Sequence, residues 1–310
     1  MTGVAPGGAA QVLPVGQPDD FASAPKSQGR IALGRFVRNK VAMAATLLFV
    51  LIVVVSFVAP SLYHWKYDHA DLDALSVQPG RQGHVLGTDE TGFDLLARLM
   101  RGTQRDFVVI VVSTTIAVFL GTFVGAVAGY YGKLIDNLLM RMVDIMLVVP
   151  SLVILIVACK AFPAAATAQG IAVIFGLFGW MGLSRLVRAQ VLSLREREFV
   201  EAARALGASD LRIVLRHLIP NVLPTILVFG TLFAAISIVA ETSVTYLGYG
   251  VQPPDTSLGL LVTRGVDAVD TRSWLFYYPG TLIVVIVLAV NLIGEGIRKA
   301  FDPRHVQVRE

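Results

Sequence analysis

Residues 41–65 contain no aspartate, glutamate, lysine or arginine, and five more such gaps follow, at 107–132, 145–159, 161–184, 217–240 and 273–294. All but 145–159 exceed 20 residues, and about 20 helical residues cross a hydrocarbon core of roughly 30 Å. A membrane barrel would alternate apolar and polar residues, whereas 47–55 is continuously apolar. Helices also satisfy every backbone polar group internally, as a bilayer demands. The pattern predicts six transmembrane helices, at about 41–62, 107–130, 138–159, 165–184, 222–240 and 275–294. The third reaches full length only by taking in Arg141 and Asp144.

Composition closes off the alternatives. Only 15% of the 310 residues are charged and 55% are hydrophobic, against about 25% charged in a soluble domain. A soluble enzyme, a disordered chain and a nucleic-acid binder are all disfavoured. One cysteine, Cys159, excludes an intrachain disulfide and a cysteine-rich zinc site, and it reads as a small buried apolar residue. The first apolar run lies too far into the chain, and is too long, for a cleaved signal peptide. Residues 1–29, rich in Gly, Ala and Pro, read as a disordered cytoplasmic tail.

Basic residues set the orientation. Eighteen of the 26 Lys and Arg residues fall in the N-terminal tail, around the start of helix three, in 185–221 and in the C-terminal tail 299–310 or just before it. The positive-inside rule then places both termini in the cytoplasm. The opposite loops, 63–106 and 241–274, are long and acidic.

Seven arginines lie in 185–221, and this stretch has helical order. Phe199, Ala202, Ala203 and Leu206 share one helix face. Gly207 sits where a left-handed cap would end that helix. Ser209 can cap a second short helix, with Asp210 at its positive end, and Leu211, Val214, Leu215 and Leu218 repeat the spacing. Such an arginine-rimmed pair of helices suits either an anionic lipid surface or a cytoplasmic protein partner.

Glu201-Ala202-Ala203, followed by Gly207 and Pro220, resembles the EAA loop of ABC-importer permeases. The family's Ile-x-Leu-Pro ending reads here as His217-Leu218-Ile219-Pro220. Leu86-Gly87-Thr88-Asp89 with Asp94 and Arg98, the run from Leu247 to Pro254, and Asn291 to Gly296 followed by Asp302-Pro303-Arg304 resemble dipeptide, oligopeptide and nickel permeases of the "C" type over roughly 30–305. Phe93 departs from a position that is often basic in that family.

The resemblance implies an all-α type I importer permease with a MetI-like core over 107–298, an extra N-terminal helix in 30–106, and a coupling loop at 185–221. Glu201, Ala202, Ala203, Arg204, Leu206 and Gly207 would meet the ATPase. The implied partners are a homologous second permease, two ATPase subunits, an extracytoplasmic substrate-binding protein and membrane lipid, in a bacterial inner membrane. Substrates compatible with the architecture are dipeptides, oligopeptides, nickel or glutathione. The only Gly-Lys pair, Gly132-Lys133, is followed by Leu134, so no Walker A motif is readable. ATP and magnesium would be bound by the separate ATPase subunits, and the chain is read as non-catalytic.

Intramembrane polar residues carry two readings each. Arg141 and Asp144 lie on one helix face, as a structural pair or as gating groups. Glu241 closes helix five, lining the pathway or marking the interface. Gly121, Gly125 and Gly129 recur every four residues in helix two, for packing within the chain or against a second permease. Pro150 is expected to kink helix three. Trp65, Trp180 and Trp274 are expected near the membrane interfaces. His64, Asp68 and His69 read as loop polars rather than a metal site. A secondary transporter would need an ion site near the bilayer midplane and inverted repeats, and a membrane enzyme would need convergent catalytic groups. Neither pattern is readable in the sequence.

Overall fold

The computed structural model describes residues 28–302, which form twelve α-helices and short turns of tighter or wider helix, with no strand among the described residues. Helix α1 (Gln28–Arg38) precedes α2 (Lys40–Val58). The expected tail over 1–29 lies outside the described residues except for Gln28 and Gly29, which are already helical. Asn39 accepts the Ala42 N–H and restarts the helix between α1 and α2.

Helix α3 (Leu95–Tyr131) contains the expected second span but begins 12 residues before it. Its true start is Asp94, whose Oδ1 accepts the Ala97 N–H at 2.7 Å. The charge-free window marks only the part of a helix that hydrocarbon can hold, and the first turns of α3 carry Arg98, Arg101, Arg105 and Asp106.

The third span is corrected more strongly. It is two helices, α4 (Lys133–Val148) and α5 (Ser151–Ala161), bent by 74°. Pro150 supplies no N–H and pushes the preceding Val149 to an extended conformation, φ −85° and ψ 121°. The fourth span continues past its expected end, as α6 (Ala168–Gly179) and α7 (Met181–Leu194) with Trp180 between them. Trp180 is buried in the packed interior.

A short α8 (Glu198–Ala205) and α9 (Asp210–Ile213) lead to α10 (Ile219–Tyr246). Helix α11 (Leu258–Val266) lies in the last connection, and α12 (Trp274–Phe301) closes the described chain. Five continuous helical stretches are long and apolar enough to cross a membrane, and the bent α4–α5 pair makes a sixth if it spans.

Helix α3 is the packing axis. It lies against α6, α7 and α10, while α12 joins α10 to α2 and α1. The glycine ladder explains the closest of these contacts. A Cβ at Gly121, Gly125 or Gly129 would fall 2.7–2.8 Å from the Cβ atoms of Leu183, Val187 and Val191 on α7. The ladder therefore serves packing within this chain, since only a bare backbone permits that approach. Cys159 is buried, as expected, and its thiol donates to the Ala165 carbonyl at 3.4 Å.

Candidate functional site

The chain has two organised ends. At one, α7 passes through Arg195–Arg197 into α8, turns at Gly207, and returns through α9 into α10. Leu206 caps α8, and Gly207 takes φ +81°. The Ala208 N–H donates to Ala203 O and the Gly207 N–H to Arg204 O, each at 3.0 Å. These are the two bonds of a Schellman cap, so the left-handed glycine expected there is present. Ser209 starts α9 through its backbone alone; its side chain makes no capping bond.

The second short helix is corrected. Only Asp210–Ile213 is α-helical, and Val214–Leu218 follows as a π-helical stretch that runs into α10. The wider turn ends just before α10, which carries Pro220 in its first turn, where a missing N–H costs nothing.

The expected apolar face splits in two. Val200, Ala203, Ile213 and Leu218 are buried with Val191 and Val222 and against Ala126 and Tyr130 of α3. Phe199, Ala202 and Leu206 face outward instead, with Leu206 88% exposed and Leu211 67% exposed. A helix with both a packed and an exposed apolar side presents a surface in search of a partner. Glu201, Arg204 and Gly207 are exposed on the same element. The Glu201 side chain makes no hydrogen bond or ion pair among the described residues.

Polar contacts that no local sequence pattern announces tie this element down. The Tyr130 hydroxyl at the end of α3 donates to Asp210 at 2.7 Å. The Arg195 guanidinium donates to the carbonyls of Gly129 and Tyr130 at 3.1 and 3.2 Å, where the helix ends. Arg188 on α7 forms a two-point pair with Asp136 on α4. Asp144 pairs with Arg185 on α7 rather than with Arg141, which has no ion pair among the described residues. In place of the supposed Arg141–Asp144 pair, Asp144 links α4 to α7.

The other end is a compact cap built from 63–94. Asp94 serves it three ways: its Oδ1 caps α3, while Oδ2 contacts His84 Nδ1 at 2.8 Å and accepts the Tyr63 hydroxyl at 3.1 Å. His84 is fully buried and stacks on Trp65, ring centres 4.2 Å apart. Burial and the adjacent Asp94 push the Tyr63 phenol up to about 12. Asp89 accepts three bonds from Thr91 and Phe93 and pairs with Arg98 at 2.8 Å. Arg98 lies over the Phe93 ring at 3.6 Å, so the aromatic at the divergent position holds a cation in place of carrying one.

Glu241 lies within α10, which continues to Tyr246, and its side chain is fully buried. Thr245 donates to it at 2.8 Å, and a Cβ at Gly259 would stand 2.9 Å from its other oxygen, so α11 approaches there by virtue of a bare backbone. The buried carboxylate of Asp106 on α3 lies within electrostatic reach.

Comparison with known proteins fits this arrangement. Residues 121–307 match the family model described as binding-protein-dependent transport system inner membrane component. Residues 27–79 match the N-terminal TM domain of oligopeptide transport permease C. The oligopeptide transport system permease protein OppC of Mycobacterium tuberculosis (strain ATCC 25618 / H37Rv) is 38% identical over 283 residues, covering 91% of this chain and 97% of the relative. The protein of that name from Escherichia coli (strain K12) is 35% identical over 274 residues, 87% and 89% of the two chains. In three dimensions the chain is similar to the MetNI methionine ABC transporter in an inward-facing conformation, with a TM-score of 0.52 and 19% identity over 66% of this chain and 96% of that one. The architecture is that of a type I importer permease, all-helical and multi-pass, and the chain belongs to the binding-protein-dependent transport system inner membrane components, the permease subunits of ABC importers.

Proposed function

We propose that this chain forms half of the translocation pathway of a peptide importer and receives the ATPase stroke through Glu201, Ala202, Arg204, Leu206 and Gly207. Ala203 supports them from beneath. The observation that carries the reading is the α8–Gly207–α9 element, packed on α3 by one side and left apolar and exposed on the other. A partner cleft that covered Phe199, Leu206 and Leu211 would remove that surface from water, and the unpaired Glu201 and flanking arginines would fix its register.

Under this reading both termini and the coupling element are cytoplasmic, and the 63–94 cap faces outward. Residues 107–298 form the core shared with a homologous second permease, and 30–106 adds a peripheral helix with its outer segment. Two ATPase subunits and an extracytoplasmic binding protein complete the assembly. ATP and magnesium sit in the ATPases. Closing of the ATPase pair would move the coupling elements and open the pathway outward. Glu241 would set the position of α11 at the outer gate. The Asp144–Arg185 link would keep α4 moving with α7, and Arg141, exposed beside it, would answer to lipid headgroups or the second permease.

Peptide import rests on the oligopeptide permease relatives. The test is uptake by the reconstituted complex of labelled peptide, with unlabelled dipeptides, oligopeptides, glutathione and nickel as competitors. Competition by peptides alone is expected. ATP-dependent uptake of nickel or glutathione untouched by peptides overturns the substrate assignment. Uptake driven by an ion gradient without ATP overturns the coupling assignment.

A further inference from the structure

Two acidic side chains meet in the interior where α11 begins. Asp106 on α3 and Glu241 on α10 are both buried. Adjacent residues of one turn serve them: the Ser257 hydroxyl donates to Glu241, and the Leu258 N–H is directed at Asp106. Thr245 is a second donor to Glu241, at 2.8 Å. Both oxygens of Asp106 and Oε2 of Glu241 still lack a well-formed hydrogen bond. Bare backbone brings the three helices together there. A Cβ at Gly102 on α3 would stand 2.9 Å from the Leu258 nitrogen, and one at Gly259 would stand 2.8 Å from the Thr242 Cα on α10. The start of α11 is thus held between α3 and α10, with both acids beside it.

The elements packed around the pair offer it no cation. Helix α10 carries no other charged residue, and α6 carries none. Along α3, Arg98 pairs with Asp89, while Arg101 and Arg105 hold Asp255 at 2.9 and 2.5 Å. Arg264, the one charged residue of α11, sits in its last turn beside Arg98. Arg185 and Arg188 on α7 pair with Asp144 and Asp136 of α4, and Lys160 on α5 is exposed. The charged residues of α12 lie in its last two turns, and the only one on α2 is its first residue, Lys40. The charge that acts on Asp106 is that of Glu241. Two buried like charges with no counter-charge cost far more than one carboxylate beside one carboxylic acid. A metal ion would need more oxygen ligands than these, and no group of three or more Asp, Glu, His or Cys residues able to hold one gathers among the described residues. A proton needs only the two acids.

We propose that Asp106 and Glu241 share one proton, and that this proton fastens the start of α11 to α3 and α10. Nothing in it depends on the substrate or on the coupling element. The test is infrared spectroscopy of the assembled permease–ATPase complex in nanodiscs at neutral pH, as the difference between wild type and the Asp106→Asn/Glu241→Gln double variant. Wild type is expected to show the carbonyl band of one protonated carboxyl group per chain, which the double variant lacks. No such band, or a band of two groups per chain, overturns the inference. Each single variant, Asp106→Asn or Glu241→Gln, should shift or remove the band, and either one decides the matter if the double variant fails to assemble. A band that one of them leaves unmoved places the proton on the other acid alone and overturns the sharing. Raising the pH until the band disappears sends the proton to water and leaves two carboxylates facing each other. The α11 amides of wild type should then exchange with deuterium about tenfold faster than the change in pH alone explains, and those of the double variant should not. Equal protection of α11 before and after the band is lost overturns the fastening. Loss of the band on adding sodium or calcium at constant pH overturns the proposal too, by giving the pair to a metal ion.

Discussion

The two ends of the molecule handle their polar and apolar groups in opposite ways. The 63–94 cap closes on itself: Asp94 serves a helix, a histidine and a tyrosine, and Asp89 serves a turn and an arginine. The α8–α9 element closes only half of itself. Its inner side is packed, while Phe199, Leu206, Leu211 and Glu201 remain exposed. The first pattern makes a rigid cap that keeps its shape alone. The second is an incomplete surface, as expected of an element that works against another subunit. Damage to the 63–94 cap should therefore appear as lost stability, and damage to the α8–α9 element as lost coupling.

The largest effect should come from Asp94→Ala. It removes the cap of α3 and strands the buried His84, for roughly 3 kcal/mol in all. Thermal unfolding of the purified complex should show a clear drop, and an unchanged midpoint would break the contrast from the outer side. Gly207→Val comes next. Nothing lies within 4 Å of a Cβ at Gly207, so the cost is the positive φ alone, roughly 1–2 kcal/mol. That strain should disturb the turn and depress peptide uptake about tenfold while the complex still hydrolyses ATP. Wild-type uptake by this variant would sink the coupling assignment. Tyr130→Phe removes one bond to Asp210, worth about 1 kcal/mol. It should lower the uptake obtained per ATP hydrolysed more than it lowers the unfolding temperature. The reverse ranking would make this contact structural only.

The smallest effect is a titration. Tyr63 is raised to about 12 in the folded chain against 10.0 ordinarily, so its contribution is fully present below pH 10 and is lost as pH rises through about 12. The outer cap should loosen in that window, read as phenolate absorbance that Tyr63→Phe deletes. A Tyr63 signal that titrates at the ordinary value would mean that the cap is open to water.

Much of this architecture is legible in the sequence. The spans show because hydrocarbon excludes charge for about 20 residues at a time. Gly207 shows because few residues other than glycine end a helix in the left-handed region cheaply. The glycine ladder on α3 shows because its period matches a helix face. What stayed hidden has a common cause. The Arg185–Asp144 link and the Tyr130–Asp210 bond depend on residues far apart in the chain, which leave no local period to read. The inward turn of Val200, in place of Phe199, depended on what α3 offered beneath it. The size of the bend at Pro150 could not be read either, because a proline in a helix gives the place of a break and not its angle.

Helix α3 joins the two contrasted ends without a joint. Its 37 residues make a rod about 55 Å long, capped by Asp94 at one end and bonded through Tyr130 to Asp210 at the other. A rod of that length converts angle into distance. Tilting it by about 5° about one end carries the other end about 5 Å. The α4–α5 pair, broken at Pro150, has no such lever arm. A small rotation imposed at the arginine-rich end would thus arrive at the acidic end as a displacement the size of a side chain.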